Sequence, residues 1–113
     1  MKEGTSTSVK PSCGDRFLAK LSALASPHRL CIVAALARRS GYVSQLAREI
    51  GMSRPLLQMH LRKLEAAGLI RSRMEVSEDG KAMRFYDVEP FALQVDAKTV
   101  AKAAESLNAD RGD

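Results

Sequence analysis

No stretch of this chain is long and apolar enough to span a bilayer. The longest run, LCIVAALA from Leu30 to Ala37, is far short of the roughly 20 residues a transmembrane helix needs. The opening MKEGTSTSVKPSCGD holds no hydrophobic stretch, so a secretory signal is not expected and the cytoplasm is. Cysteine is scarce: Cys13 and Cys31 form no CxxC pair and suit a reducing compartment. Catalytic patterns are missing as well, with no Ser/His/Asp grouping, paired carboxylates or phosphate loop. His28 and His60 fall in different predicted helices without evident partners, so an enzyme is the weakest class. There is no internal repeat.

What remains is a basic chain of 113 residues with formal net charge +5. That length holds one domain with tails and a thin core, which a second copy often supplements. The charge favours an anionic partner without choosing among nucleic acid, protein and membrane. A membrane surface fits poorly, because the last predicted helix is alanine-rich with little bulk to insert.

Residues 1–14 are rich in Ser, Thr, Gly and Lys and read as a mobile arm. From Asp15, Phe17, Leu18, Leu21, Leu24 and Ala25 recur on one helical face. Ser26-Pro27 should start a second helix with Leu30, Ile32, Val33 and Leu36 inward, stopped by glycine in Arg38–Gly41. Tyr42-Val43 reads as a short extended piece, and Ser44–Ile50 as a short helix closed by Gly51. Ser53 and Pro55 open the next helix, Leu57, Leu61 and Leu64 share its inner face, and Gly68-Leu69 ends it. Ile70–Val76 and Ala82–Val88 read as strands joined at Asp79-Gly80. Asp96 should cap a last helix carrying Ala97, Val100, Ala101, Ala104 and Leu107, and residues 108–113 read as a frayed tail.

The predicted class is therefore mainly α with a small antiparallel hairpin. In the order α-α-α-α-β-β-α it is a winged helix-turn-helix spanning residues 15–107. In such a motif one helix braces a second, which lies in the DNA major groove with one side open. Arg54, Gln58, Met59 and Arg62 fall opposite the leucines. Arginine can donate two hydrogen bonds to guanine, and glutamine can pair with adenine. Between Ser53 and Arg73, Arg54, Arg62, Lys63, Arg71 and Arg73 face one acid, Glu65, which is the charge balance a polyanion requires. The candidate DNA-contacting residues are Ser53, Arg54, Gln58, Met59, His60, Arg62, Lys63, Arg73, Lys81 and Arg84. Among them His60 lies between faces and suits a half-buried structural histidine better than a base reader. Leu56 is expected to pack against the bracing helix, while Met59 stays open between packing and a thymine methyl.

Three stretches carry a family resemblance: LSALASPHRLCIVAAL (Leu21–Leu36), VSQLAREIGMSRPLLQMHLRKLEAAGLI (Val43–Ile70) and RFYDV (Arg84–Val88). Together they resemble the ArsR/SmtB repressors. The resemblance implies a homodimer built from the first and last helices, with Phe17, Leu18, Leu21, Leu24, Val100, Ala104 and Leu107 at its seam. It also implies double-stranded DNA as partner, at a pseudo-palindromic operator. Ser53, Pro55, His60 and Leu61 match the family's recognition helix; Arg54, Gln58 and Met59 do not, so the operator sequence does not carry over. The family's metal sites are not matched. Leu46, Ala47, Arg48 and Glu49 stand where a Cys-x-Cys pair would, and the last helix offers Asp96 and Glu105 but no histidine. No cofactor is expected, and the effector is not legible. Cys13, His28 and Cys31 leave open a thiol-based redox or soft-metal sensor. A protein-docking winged helix without specific DNA binding is the other alternative.

Overall fold

The computed structural model describes residues 11–108. The chain divides into two compact units, Lys20–Ala92 and a second formed by residues up to Ala19 with those from Leu93 onward. Most of the expected arm, residues 1–10, and most of the expected tail, residues 109–113, lie outside the described residues.

Helix α1 (Cys13–Leu24) begins before the expected Asp15. Ser12 Oγ accepts from the Asp15 backbone N–H at 3.0 Å, and the Asp15 carboxylate accepts from the Ser12 N–H at 3.1 Å. Two otherwise orphaned donors are thus satisfied reciprocally. Cys13 accordingly stands on a helix rather than on an arm. In the terminal unit α1 meets α5 (Ala97–Glu105), which Asp96 caps through Thr99. Their approach is close. The Gly14 N–H donates to Ser106 Oγ at 2.8 Å, and a Cβ at Gly14 would lie 2.0 Å from the Ala103 carbonyl oxygen. The Asn108 N–H also donates to the Asp15 carboxylate at 3.0 Å.

The larger unit holds the core. Helix α2 (Pro27–Arg38) is capped by Ser26, whose hydroxyl accepts from the Arg29 N–H. Ile32, Ala35 and Leu36 turn inward, whereas Leu30, expected inside, is 54% exposed. The inward stripe is therefore at 29, 32, 35 and 36, with Arg29 in place of Leu30. The expected glycine stop does not occur either: α2 ends on extended Arg39, and Gly41 enters strand β1 (Gly41–Tyr42). Helix α3 (Val43–Ile50) buries Leu46 and Ala47, and α4 (Arg54–Ala66) follows after a short turn. Gly68, at φ +79°, ends α4: it donates to the Glu65 carbonyl while the Leu69 N–H reaches back to Leu64. An L side chain would be strained in that conformation.

Strands β2 (Ile70–Val76) and β3 (Ala82–Val88) pair antiparallel in a single register from Ile70 with Val88 to Val76 with Ala82. β1 adds to the far edge of β3, giving the order β1-β3-β2. Alternation sends Ser72, Met74, Arg84 and Tyr86 to one face, and Arg71, Arg73, Glu75, Phe85 and Asp87 to the other. The adjacent Phe85 and Tyr86 thus serve different faces: Tyr86 joins the core, while Phe85 packs edge-on against Tyr42.

Candidate nucleic-acid interface

Helix α4 is held from beneath. Leu57, Leu61 and Leu64 are fully buried against α2, α3 and the sheet, and Ser53 caps the start by accepting from the Leu56 N–H at 3.4 Å. His60 shares this inner face at 6% exposure, so it does not stand with the outward residues among which the sequence grouped it. Arg29 Nη1 lies 3.1 Å from His60 Nδ1, and Arg29 Nε donates to the Ala23 carbonyl at 2.6 Å. A guanidinium only donates, so His60 Nδ1 must accept and its proton sits on Nε2, which is buried without a hydrogen-bond partner among the described residues. Burial, then Arg29, His28 and Lys63, hold the imidazole below its usual pKa. A neutral ring under a basic helix is the consequence.

The outer face is open. Arg54, Leu56, Gln58, Arg62, Lys63 and Glu65 are exposed and Met59 is half-buried. Leu56, expected to pack, is 40% exposed. Among the described residues Arg54, Arg62, Lys63, Lys81 and Arg84 contact no carboxylate. The other two hairpin arginines differ. Arg71 pairs with Glu89 at 2.8 Å, and Arg73 pairs with Glu75 at 2.8 Å and with Asp87. Arg73 also stacks over Phe85 at 4.4 Å. The Ser40 hydroxyl and these arginines keep Asp87 ionised below the usual carboxylate range. The structure thus separates Arg73 from Arg84, which sequence spacing had grouped.

Between α4 and the hairpin runs a cleft of about 370 Å³ lined by Val43, Gln58, Arg62, Glu65, Arg84 and Tyr86. Behind it Arg84 Nη1 donates to Ser72 Oγ at 2.9 Å, and Ser72 Oγ donates to the Glu65 carboxylate at 2.9 Å. Sequence reasoning missed Glu65, Ser72 and Tyr86. Strand register was the available signal, since Ser72 stands opposite Tyr86 and beside Arg84 on one face.

The other candidates are more dispersed. Cys13 and Cys31 are both exposed free thiols, each in a helix, and Cys13 Sγ accepts from Arg16 at 3.6 Å. His28 leans on His60 with ring centroids 5.5 Å apart. Among the described residues, no three His, Cys, Asp or Glu side chains gather as a metal site, and no single helix is long and apolar enough to cross a membrane. Of the expected seam residues, Leu18 and Val100 are 49% and 46% exposed. Ala104 is also exposed, while Phe17, Leu21, Leu24 and Leu107 are half-buried.

A braced helix with an open basic face, a short helix before it and a hairpin beside it define a winged helix-turn-helix. Residues 26–72 match the bacterial regulatory proteins of the arsR family. An HTH-type transcriptional regulator of Methanocaldococcus jannaschii is 36% identical over 84 residues, which are 74% of this chain and 87% of that protein. The chain belongs to the ArsR family of transcriptional regulators. The nodulation protein NolR of Rhizobium meliloti is 40% identical over 55 residues, covering 49% of this chain and 45% of NolR. In fold, the chain is similar to a homodimeric winged helix-turn-helix DNA-binding domain from Mycobacterium bovis. That likeness has a TM-score of 0.62 at 22% identity, over 92% of this chain and 82% of that one.

Proposed function

We propose that the protein is a cytoplasmic, sequence-specific repressor that binds a pseudo-palindromic operator as a homodimer, with α4 in the major groove and the hairpin beside it. The observation that carries this reading is the division of α4. One face is sealed into the core, and the other presents Arg54, Gln58, Arg62 and Lys63, its cations without carboxylate partners among the described residues. Arg54 and Gln58 lie in the first half of α4, the part that meets base edges in this motif. Lys81 and Arg84 serve the flanking backbone. Arg73 and His60 act as braces, one latching the wing and the other seating α4. The exposed apolar residues of α1 and α5 supply the dimer seam, and the Mycobacterium bovis domain is itself homodimeric.

The test is fluorescence anisotropy with duplex DNA from upstream of the protein's own gene, beside a scrambled duplex of equal length. A clear preference for the native duplex at moderate salt is expected, and the Arg54→Ala/Arg62→Ala double variant should lose it while staying folded. Equal affinity of wild type and double variant for the preferred duplex overturns the assignment of the reading face. Absence of binding to either duplex moves a protein-docking role ahead.

A further inference from the structure

Glu65 is an unexpected residue on α4. It is the one acid of that helix, and it falls three residues beyond Arg62 and seven beyond Gln58, on the same outward stripe. A carboxylate there repels the phosphates that the surrounding cations attract. Its bonding explains its presence. Arginine can only donate and an ionised carboxylate can only accept, so the Ser72 hydroxyl between them directs its single proton toward Glu65. The chain Arg84 to Ser72 to Glu65, both links 2.9 Å, has one polarity and joins β3, β2 and α4. Each link carries a formal charge at one end, which strengthens it.

Arg84 differs from its neighbours on the wing. Arg71 and Arg73 are held by Glu75, Asp87 and Glu89, whereas Arg84 meets its carboxylate only through a hydroxyl. Its charge is therefore fixed in place with no counter-ion in contact among the described residues. Arg84 lines the same cleft as Arg62 and Gln58, at the junction of α4 and wing. An arginine anchored by one N–H has already lost much of its rotamer freedom and keeps its other donors for a ligand.

We infer that Glu65 is a positioning residue: through Ser72 it holds the Arg84 guanidinium beside Arg62, so that α4 and the wing grip one backbone phosphate in the cleft between them. This inference rests on the reading of α4 as the DNA reader. It opposes plain electrostatics, by which removing an acid from a basic surface tightens DNA binding.

The test titrates the full chain and its Glu65→Ala, Glu65→Gln, Arg84→Ala and Glu65→Ala/Arg84→Ala variants onto the preferred duplex over a range of salt, with thermal melts alongside. Glu65→Ala should bind on the order of tenfold more weakly, the value of one charge-assisted contact. It should also lose about one unit of log–log salt slope, although its net charge is higher. Glu65→Gln, whose amide oxygen still accepts from Ser72, should stay within about twofold of wild type, since the link persists. Adding Glu65→Ala to Arg84→Ala should cost nothing further. Wild-type or tighter binding by Glu65→Ala, equal losses in the Ala and Gln variants, or multiplying losses in the double variant each overturn the inference. If the wild type shows no preference between duplexes, the DNA-reading proposal falls first and this one with it. If it discriminates and Glu65→Ala matches it, only the positioning role falls.

Discussion

His60 shows how one side chain can couple the seating of α4 to pH. Its folded pKa lies below the ordinary value of 6.5, so near that pH the unfolded chain binds more protons than the folded one. Its contribution is fully present above about pH 6.5 and is lost as pH falls through the lower folded value. Asp15, Asp79, Asp87 and Asp96 are also depressed, but their contributions fade only below about 3.8. Thermal melts between pH 7.5 and 5 should therefore show falling stability in the wild type and a flatter profile in His60→Gln. Equal slopes would remove His60 as the cause. Arg54 makes the contrasting case, an exposed residue that contacts no carboxylate among the described residues. If it reads a guanine bidentately, Arg54→Ala should cost about 1–3 kcal/mol of specific binding and relax preference at that base. Its melting temperature should not change, which a melt beside the titration would show.

At the scale of elements, the α1–α5 contact rests on Gly14. A methyl there would lie 2.0 Å from a backbone oxygen of α5, so one helix has to move. Gly14→Ala should destabilise the protein by about 1–3 kcal/mol despite the better helix propensity of alanine, measured by denaturant unfolding. A neutral or stabilising result would mean that the two helices separate readily. Helix α4 is secured at both ends, by Ser53 and by Gly68, and Ser53→Ala should cost about 1 kcal/mol in the same assay. The wing is latched on its far face by Arg73, Phe85 and Asp87, which leaves its near face for Arg84.

For the whole molecule, the formal net charge is +5, and among the described residues the cations of α4 with Lys81 and Arg84 contact no carboxylate. DNA affinity should fall linearly in log–log salt, with a slope set by the number of phosphates engaged. Pairing of two copies would set the two recognition helices about one DNA turn apart, roughly 34–36 Å. Val100→Asp, at an exposed position of α5, should shift the protein toward monomer in light scattering and weaken binding to a palindromic site more than to a half-site. An unchanged dimer mass would place the seam elsewhere.

The caps, prolines and glycines are local signals, and from them the sequence by itself determined the helix-turn-helix, the hairpin and its strand limits. Ser53, Pro55, Gly68 and Asp79-Gly80 act on their immediate neighbours, so their meaning does not depend on the fold. Only tertiary structure decided which residues would meet across elements. It put Arg29 inward on α2, within reach of His60 and the Ala23 carbonyl, and Leu30 outward. It placed Arg73 behind the wing and Arg84 before it, through the strand register. It also set Glu65 against Ser72, and Gly14 against Ala103, across 7 and 89 positions of chain. Such contacts are set by how elements pack and in what register they pair, which no local window of sequence contains.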